Sequence, residues 1–218
     1  MPSSAIETPH GPISAVQDGP GGGPVLVIAH GAGGTLRNPL LDGFAAGLAA
    51  AGVTCLRFNF LYSEAGKRSP DREPLLREAW SASFARGGEV GRPVWAGGKS
   101  MGGRIASMMV ADGELEAAGL VFVGYPLHPP GKPDRLRDEH LGEIRVPMLW
   151  LQGTADPFAR WDLLEGVLGR LGKRATLHAV EGGDHSFRVR GQKRDDEGTG
   201  TALGEAAARF ILDRSRGD

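Results

Sequence analysis

The stretch Pro93-Val94-Trp95-Ala96-Gly97-Gly98-Lys99-Ser100-Met101-Gly102 decides how this chain is read. A short apolar run passes directly into Gly-x-Ser-x-Gly, from Gly98 to Gly102. That order describes a strand, a tight turn and a helix: a nucleophile elbow, which lifts a serine oxygen above the edge of a sheet. The glycines have a mechanical role, because strand and helix nearly touch at such a turn and leave no room for a Cβ two residues before or after the serine. On this reading Ser100 is a catalytic nucleophile. Two other readings compete for the same residues. One is an ordinary glycine-rich connection, in a chain with 35 glycines. The other is a phosphate loop, since Gly98-Lys99-Ser100 matches the end of G-x-x-x-x-G-K-[ST]. The phosphate loop fails because its first glycine would fall on Pro93, and its remaining positions are the strand-like Val94-Trp95-Ala96.

Working outward from the elbow, glycine and proline divide the chain into short apolar runs and longer segments of helical period. The runs are Pro24 to Ala29, Val53 to Phe60, Pro93 to Gly97, Leu120 to Val123, Met148 to Leu151 and Ala175 to Val180. Most are apolar at successive positions, as expected of strands covered on both faces. Helical stripes lie between and after them: Leu41, Phe44, Leu48 and Ala51; Leu76, Trp80 and Phe84; the elbow helix from Met101 to Asp112; Trp161, Leu164, Val167 and Leu168; and Leu203, Ala207, Phe210 and Ile211. Alternation of this kind, with right-handed crossovers, predicts an α/β fold built on a doubly wound, mostly parallel sheet, its active edge at the carboxyl ends of the strands. The segments Ile6 to Thr8 and Ile13 to Val16 predict an added strand or hairpin. Pro126 to Glu143 is a long proline-rich and charged connection, Arg188 to Glu197 a solvated loop, and no inserted block is large enough for a lid domain.

With 218 residues the chain suits one substantial core, a single domain over residues 1–218. Its 25 basic and 26 acidic residues leave a net charge of −1, so no electrostatic drive toward nucleic acid or an anionic membrane is expected. The sole cysteine, Cys55, has no internal disulfide partner and reads as a small buried hydrophobe. The segment MPSSAIETPHGPISAV lacks a basic end followed by an apolar stretch, and no run is long enough to span a bilayer. A soluble, cytoplasmic protein is expected, and nothing in the sequence sets an oligomeric state.

An elbow serine needs a base, and the base an orienting carboxylate, in the chain order serine, acid, histidine. Asp156 follows the strand Met148 to Leu151, and His185 follows the strand Ala175 to Val180, so both should reach the edge that carries Ser100. Asp156, beside Pro157, could instead cap a helix or turn. Asp184 is the competing acid, but adjacent side chains diverge, and a carboxylate from another strand end is better placed to reach the far imidazole nitrogen. His185 could instead be an exposed loop residue. The remaining histidines, His10, His128, His140 and His178, do not follow a strand end in the required order. The developing oxyanion needs donors. The backbone N–H of Met101 is one, and the glycine-rich loop His30-Gly31-Ala32-Gly33-Gly34 offers the other at Ala32. A dinucleotide reading of that loop fails because Leu36 stands where G-x-G-x-x-G ends in glycine. His30 reads as a brace for the loop rather than a base.

With elbow, oxyanion loop and ordered triad in place, the chain resembles the α/β-hydrolase superfamily over nearly its whole length. The runs RFNFLYSEAGKRSPDREPLLREAW, GYPLHPPGKPDRLRDEHL and IRVPMLWLQGTADPF resemble the small KANL3/Tex30-like hydrolases, near the dienelactone-hydrolase branch. The resemblance implies a compact, lidless α/β-hydrolase fold with a Ser100, Asp156, His185 triad. Dienelactone hydrolases use a cysteine where this chain has Ser100, so their substrate is not carried over. The expected function is a serine hydrolase acting on a carboxylic ester or related small acyl compound, with no metal or organic cofactor. Leu61 to Arg72, with Tyr62, Glu64, Lys67 and Arg68, and Tyr125 to His128 are candidate walls of the pocket. Since fold alone does not establish chemistry, the rival is a binding or scaffold protein that keeps this fold without turnover.

Overall fold

Strand and helix alternate along the chain as the apolar periodicity implies. The structure is a computed structural model and describes residues 4–215. The outermost residues of the expected domain span, 1–3 and 216–218, lie outside the described residues. The elements run β1 (Ser4–Ile6), β2 (Ile13–Asp18), β3 (Val25–Ala29), α1 (Pro39–Ala50), β4 (Thr54–Phe58), α2 (Leu61–Glu64) and α3 (Glu73–Val90). They continue with β5 (Val94–Lys99), α4 (Met101–Ala111), β6 (Leu120–Val123), β7 (Met148–Gly153), α5 (Trp161–Leu171), β8 (Ala175–Val180) and α6 (Asp196–Ser215).

The strands form one eight-stranded sheet in the order β1-β2-β4-β3-β5-β6-β7-β8. From β4 to β8 all neighbours pair in parallel, and the expected amino-terminal hairpin joins antiparallel at one edge. The chain leaves β3 for β4 on one side and later returns to place β5 on the other. That reversal opens a crevice at the carboxyl ends of β3 and β5. The loop after β3 and the turn after β5 therefore meet there.

Continuous apolar runs are explained by burial on two faces. Val25, Val27, Ala29, Phe122 and Trp150 join Trp80 of α3, Ile105 of α4 and Leu164 of α5 in one core layer. Their strand neighbours Leu26, Ile28, Val121, Val123 and Leu151 join Phe44 of α1 and Ile211 of α6 in the other. Helices α1 and α6 touch backbone to backbone: a Cβ on Gly43 would lie 2.0 Å from the Glu197 carbonyl oxygen, and one on Gly204 would lie 2.1 Å from that of Phe44.

Three expectations need correction. Ala51 caps α1 and is exposed, because the helix ends before it could complete the stripe. Asn59 and Phe60 lie beyond β4, where Asn59 turns to accept the Leu36 N–H at 2.6 Å. The solvated loop from Arg188 to Glu197 ends early, since α6 begins at Asp196, whose carboxylate pairs with Arg188 and Arg194. No inserted layer covers the crevice among the described residues, and no helix of theirs is long and apolar enough to cross a membrane.

Candidate active site

The turn at Ser100 is strained in the way the elbow requires. Ser100 has φ 52° and ψ −116°, a region that costs a non-glycine residue about 1–3 kcal/mol. The strain is held by contacts that exclude side chains: a Cβ on Gly98 would sit 2.3 Å from the Gly103 nitrogen, and one on Gly102 2.6 Å from the Ala29 carbonyl oxygen. Gly103 is equally constrained, 2.6 Å from the Gly98 carbonyl, although the five-residue motif does not include it.

The fold brings Ser100, Asp156 and His185 together. His185 Nε2 lies 2.9 Å from Ser100 Oγ, and His185 Nδ1 lies 2.7 Å from Asp156 Oδ2. An ionised carboxylate only accepts hydrogen bonds, so the Nδ1–H must be the donor to Asp156. The Nε2 lone pair is thereby left facing the Ser100 hydroxyl. Asp156 is itself fixed on all sides: buried, it accepts from the Gln152 amide at 2.6 Å and from the Phe158 N–H at 2.8 Å. Gln152 is oriented in turn, its Oε1 accepting the Tyr125 N–H at 2.8 Å. Asp184, the competing acid, is turned into its own loop, where it accepts from the N–H groups of Ser186 at 2.7 Å and Arg188 at 3.0 Å.

Two groups that the sequence reading left out hold the histidine. The Phe158 ring stacks on His185 with centroids 4.2 Å apart. Lys99, inside the Gly-x-Ser-x-Gly motif, donates from Nζ to the His185 carbonyl at 2.6 Å. Burial lowers its pKa to about 8, against the opposing pull of Asp156 and Asp184. Its position between strand and nucleophile was the available signal, because a side chain there must emerge beside the partner loops.

The loop after β3 is braced as the sequence reading expects for His30. His30 is buried, its Nδ1 lies 2.8 Å from the Gly31 carbonyl and its Nε2 accepts the Phe60 N–H at 3.3 Å. Both nitrogens are committed, and burial lowers its pKa, so the ring is neutral. The loop lies against the elbow: a Cβ on Gly31 would be 3.4 Å from Ser100 Cβ. Among the described residues, neither the Ala32 nor the Met101 N–H donates to another backbone or side-chain group.

Ala32, Asn38, Leu41, Lys99, Ser100 and His185 line a cavity of about 270 Å³. The two expected walls are elsewhere, spent on scaffolding. Tyr62 is buried with its hydroxyl 3.4 Å from the Gly31 carbonyl, and Glu64 accepts the Ser14 N–H at 2.7 Å. Tyr125 donates to the Arg137 carbonyl at 2.7 Å, and His128 Nε2 accepts the Arg160 N–H at 2.9 Å.

A second serine and histidine meet away from this cavity. Ser107 Oγ lies 2.8 Å from His140 Nε2, but the serine hydroxyl donates to the Arg104 carbonyl at 2.7 Å. No carboxylate contacts His140 among the described residues.

Comparison with known proteins agrees with this architecture. The chain is similar to a dienelactone hydrolase from Anabaena variabilis, with 19% identity, a TM-score of 0.72 and coverage of 97% of this chain and 96% of that one. It is similar to a serine hydrolase without a lid from Xanthomonas campestris at 20% identity and TM-score 0.69, over 98% of this chain and 94% of the other. The esterase domain of a Rhodothermus marinus protein is similar at 14% identity and TM-score 0.72, over 97% and 98% of the two chains. Residues 22–212 match the family model described as an alpha/beta hydrolase domain, and the chain belongs to that family.

Proposed function

We propose that the protein is a serine hydrolase that cleaves a carboxylic ester, or a related small acyl compound, through an acyl-enzyme on Ser100. The observation that carries this reading is the directed relay from Asp156 through His185 to Ser100, with spacings of 2.7 and 2.9 Å. Membership of a hydrolase family and similarity of fold to an esterase domain and a dienelactone hydrolase support it.

In the first half-reaction the Ser100 oxygen bonds to the acyl carbon while its proton passes to His185 Nε2. The carbonyl electrons move onto oxygen, where the N–H groups of Ala32 and Met101 would donate to the oxyanion. Collapse of the tetrahedral species breaks the bond to the leaving alcohol, which takes the proton back from His185. Water then repeats the sequence with His185 as base, releasing the acid and free Ser100. Asp156 holds the Nδ1–H and stabilises the imidazolium in both halves. A cavity of about 270 Å³ with no covering layer favours small or accessible acyl groups over long lipid chains.

A panel of p-nitrophenyl esters, aryl thioesters and lactones tests the proposal. Saturable turnover of at least one short-chain member, absent from Ser100→Ala, is the expected result. Equal rates in both proteins across the panel would refute it.

A further inference from the structure

The most unusual charge arrangement outside the Ser100 cavity lies further along the same helix. Arg104 and Arg137 line a separate cavity of about 280 Å³ together with His140. Buried and half-buried arginines in folded proteins normally meet carboxylates, as two here do: Arg57 pairs with Asp18 and Asp42, and Arg77 with Glu73, Asp112 and Glu114. Arg104 meets none among the described residues, and its Nε is buried without an acceptor. A buried guanidinium N–H without a protein partner is costly, and an acceptor bound in the cavity would satisfy it. Arg137 likewise has no carboxylate there, only a 3.5 Å contact from its guanidinium to the Pro126 carbonyl.

Arg137 and His140 are held in place by backbone and neighbours. Tyr125 and Leu127 fix the Arg137 backbone, through the tyrosine hydroxyl to the Arg137 carbonyl at 2.7 Å and the Arg137 N–H to the Leu127 carbonyl at 2.8 Å. Ser107 anchors the His140 ring at 2.8 Å. The charge of Arg104 registers on the neighbours: burial and then Arg104 lower the pKa of Arg137, and the same two causes, against the opposing pull of Asp112 and Asp138, lower His140 to about 4. Asp112, Asp138 and Glu139 also line the cavity, but Asp112 is engaged by Arg77, Asp138 by Arg170, and Glu139 is exposed.

The geometry points to an oxyanion site, built by Arg104 and Arg137 with His140 beside them, for a phosphate ion or the phosphoryl group of a small organic molecule. Two guanidiniums without counter-ions match a dianion, and planar N–H forks suit its oxygens. The volume exceeds what a lone phosphate fills, leaving room for an organic remainder. This site stands apart from the acyl chemistry of Ser100 and does not depend on it.

Calorimetric titration with inorganic phosphate and with glycerol 3-phosphate, at low ionic strength, tests the site. The ring signals of His140, assigned with His140→Gln, are followed by NMR in parallel. Saturable binding of at least one probe, a matching shift of the His140 signals, and roughly tenfold or greater weakening in both Arg104→Met and Arg137→Met are expected. Binding of both probes indicates recognition of the phosphoryl group, and binding of inorganic phosphate alone indicates the free ion. Absence of saturable binding to the wild type, or unchanged affinity in Arg137→Met with its near-ultraviolet circular dichroism intact, overturns the site. Arg137→Met is the decisive variant because Arg104 lies within α4 and its loss could disturb the fold.

Discussion

Among the described residues two serine–histidine pairs stand at almost the same distance, Ser100–His185 at 2.9 Å and Ser107–His140 at 2.8 Å, and they are chemically opposite. In the first, Asp156 accepts the Nδ1–H, so the imidazole lone pair faces a hydroxyl with no other protein acceptor among the described residues. In the second, the hydroxyl proton is committed to the Arg104 carbonyl, so the histidine nitrogen must carry the hydrogen and donate it. Ser107 is wholly buried in the body of α4, whereas Ser100 lines a cavity in a strained turn. Proximity of serine and histidine is thus not what makes a nucleophile. The third group and the direction of the proton decide it.

The comparison can be broken by substitution, the largest effect being expected at Ser100, the proposed nucleophile. Ser100→Ala should lower kcat by on the order of 10⁶-fold, as loss of a triad serine does elsewhere. Asp156→Asn should lower kcat by roughly 10³ to 10⁴, because the amide favours the wrong imidazole tautomer. Asp184→Asn should cost less than about tenfold, since Asp184 shapes its own turn and does not reach the ring. If Asp184→Asn were the more damaging of the two, the assignment of the acid would be wrong.

Lys99→Met sharpens the comparison, because in the first pair a lysine donates to the carbonyl of the histidine itself. Loss of the tether should lower kcat by about tenfold with little change in KM, as expected for displacement of a catalytic group. It also has a pH signature. With a folded pKa of about 8 against 10.5 unfolded, the unfolded chain binds more protons between those values, so stability rises with pH across that window. Denaturant melts of wild type should show that rise, and those of Lys99→Met should lack this contribution. The smallest effect on rate belongs to the second pair. Ser107→Ala should leave ester turnover within about twofold while costing about 1 kcal/mol of stability, because it strips the partner from a half-buried histidine N–H.

The sheet was legible because strands covered on both faces must be apolar at successive positions, and the glycines and prolines that end them are equally plain. Asp156 and His185 were legible for a topological reason: each follows the carboxyl end of its own parallel strand, and the fold delivers all such ends to one edge. The start of α6 was hidden because Asp196, Gly198, Thr199 and Gly200 in its opening stretch are poor helix formers individually. Close packing against α1, which Gly43, Gly47 and Gly204 permit, overrides that local preference. Gln152, Phe158 and Lys99 carry no motif of their own; their parts depend on which way a side chain turns once the loops have met. The pocket walls were misplaced for a similar reason, since Tyr62 and Tyr125 fold inward to satisfy backbone carbonyls.

Mass-spectrometric mapping of the residue modified by a fluorophosphonate tests the central claim most directly. The probe reacts with a serine only where a base accepts its proton and an oxyanion site receives the phosphoryl oxygen. Stoichiometric labelling on Ser100, abolished in Ser100→Ala and retained in Ser107→Ala, is the predicted outcome. A label found on Ser107, or labelling of Ser100→Ala equal to that of wild type, would contradict the account.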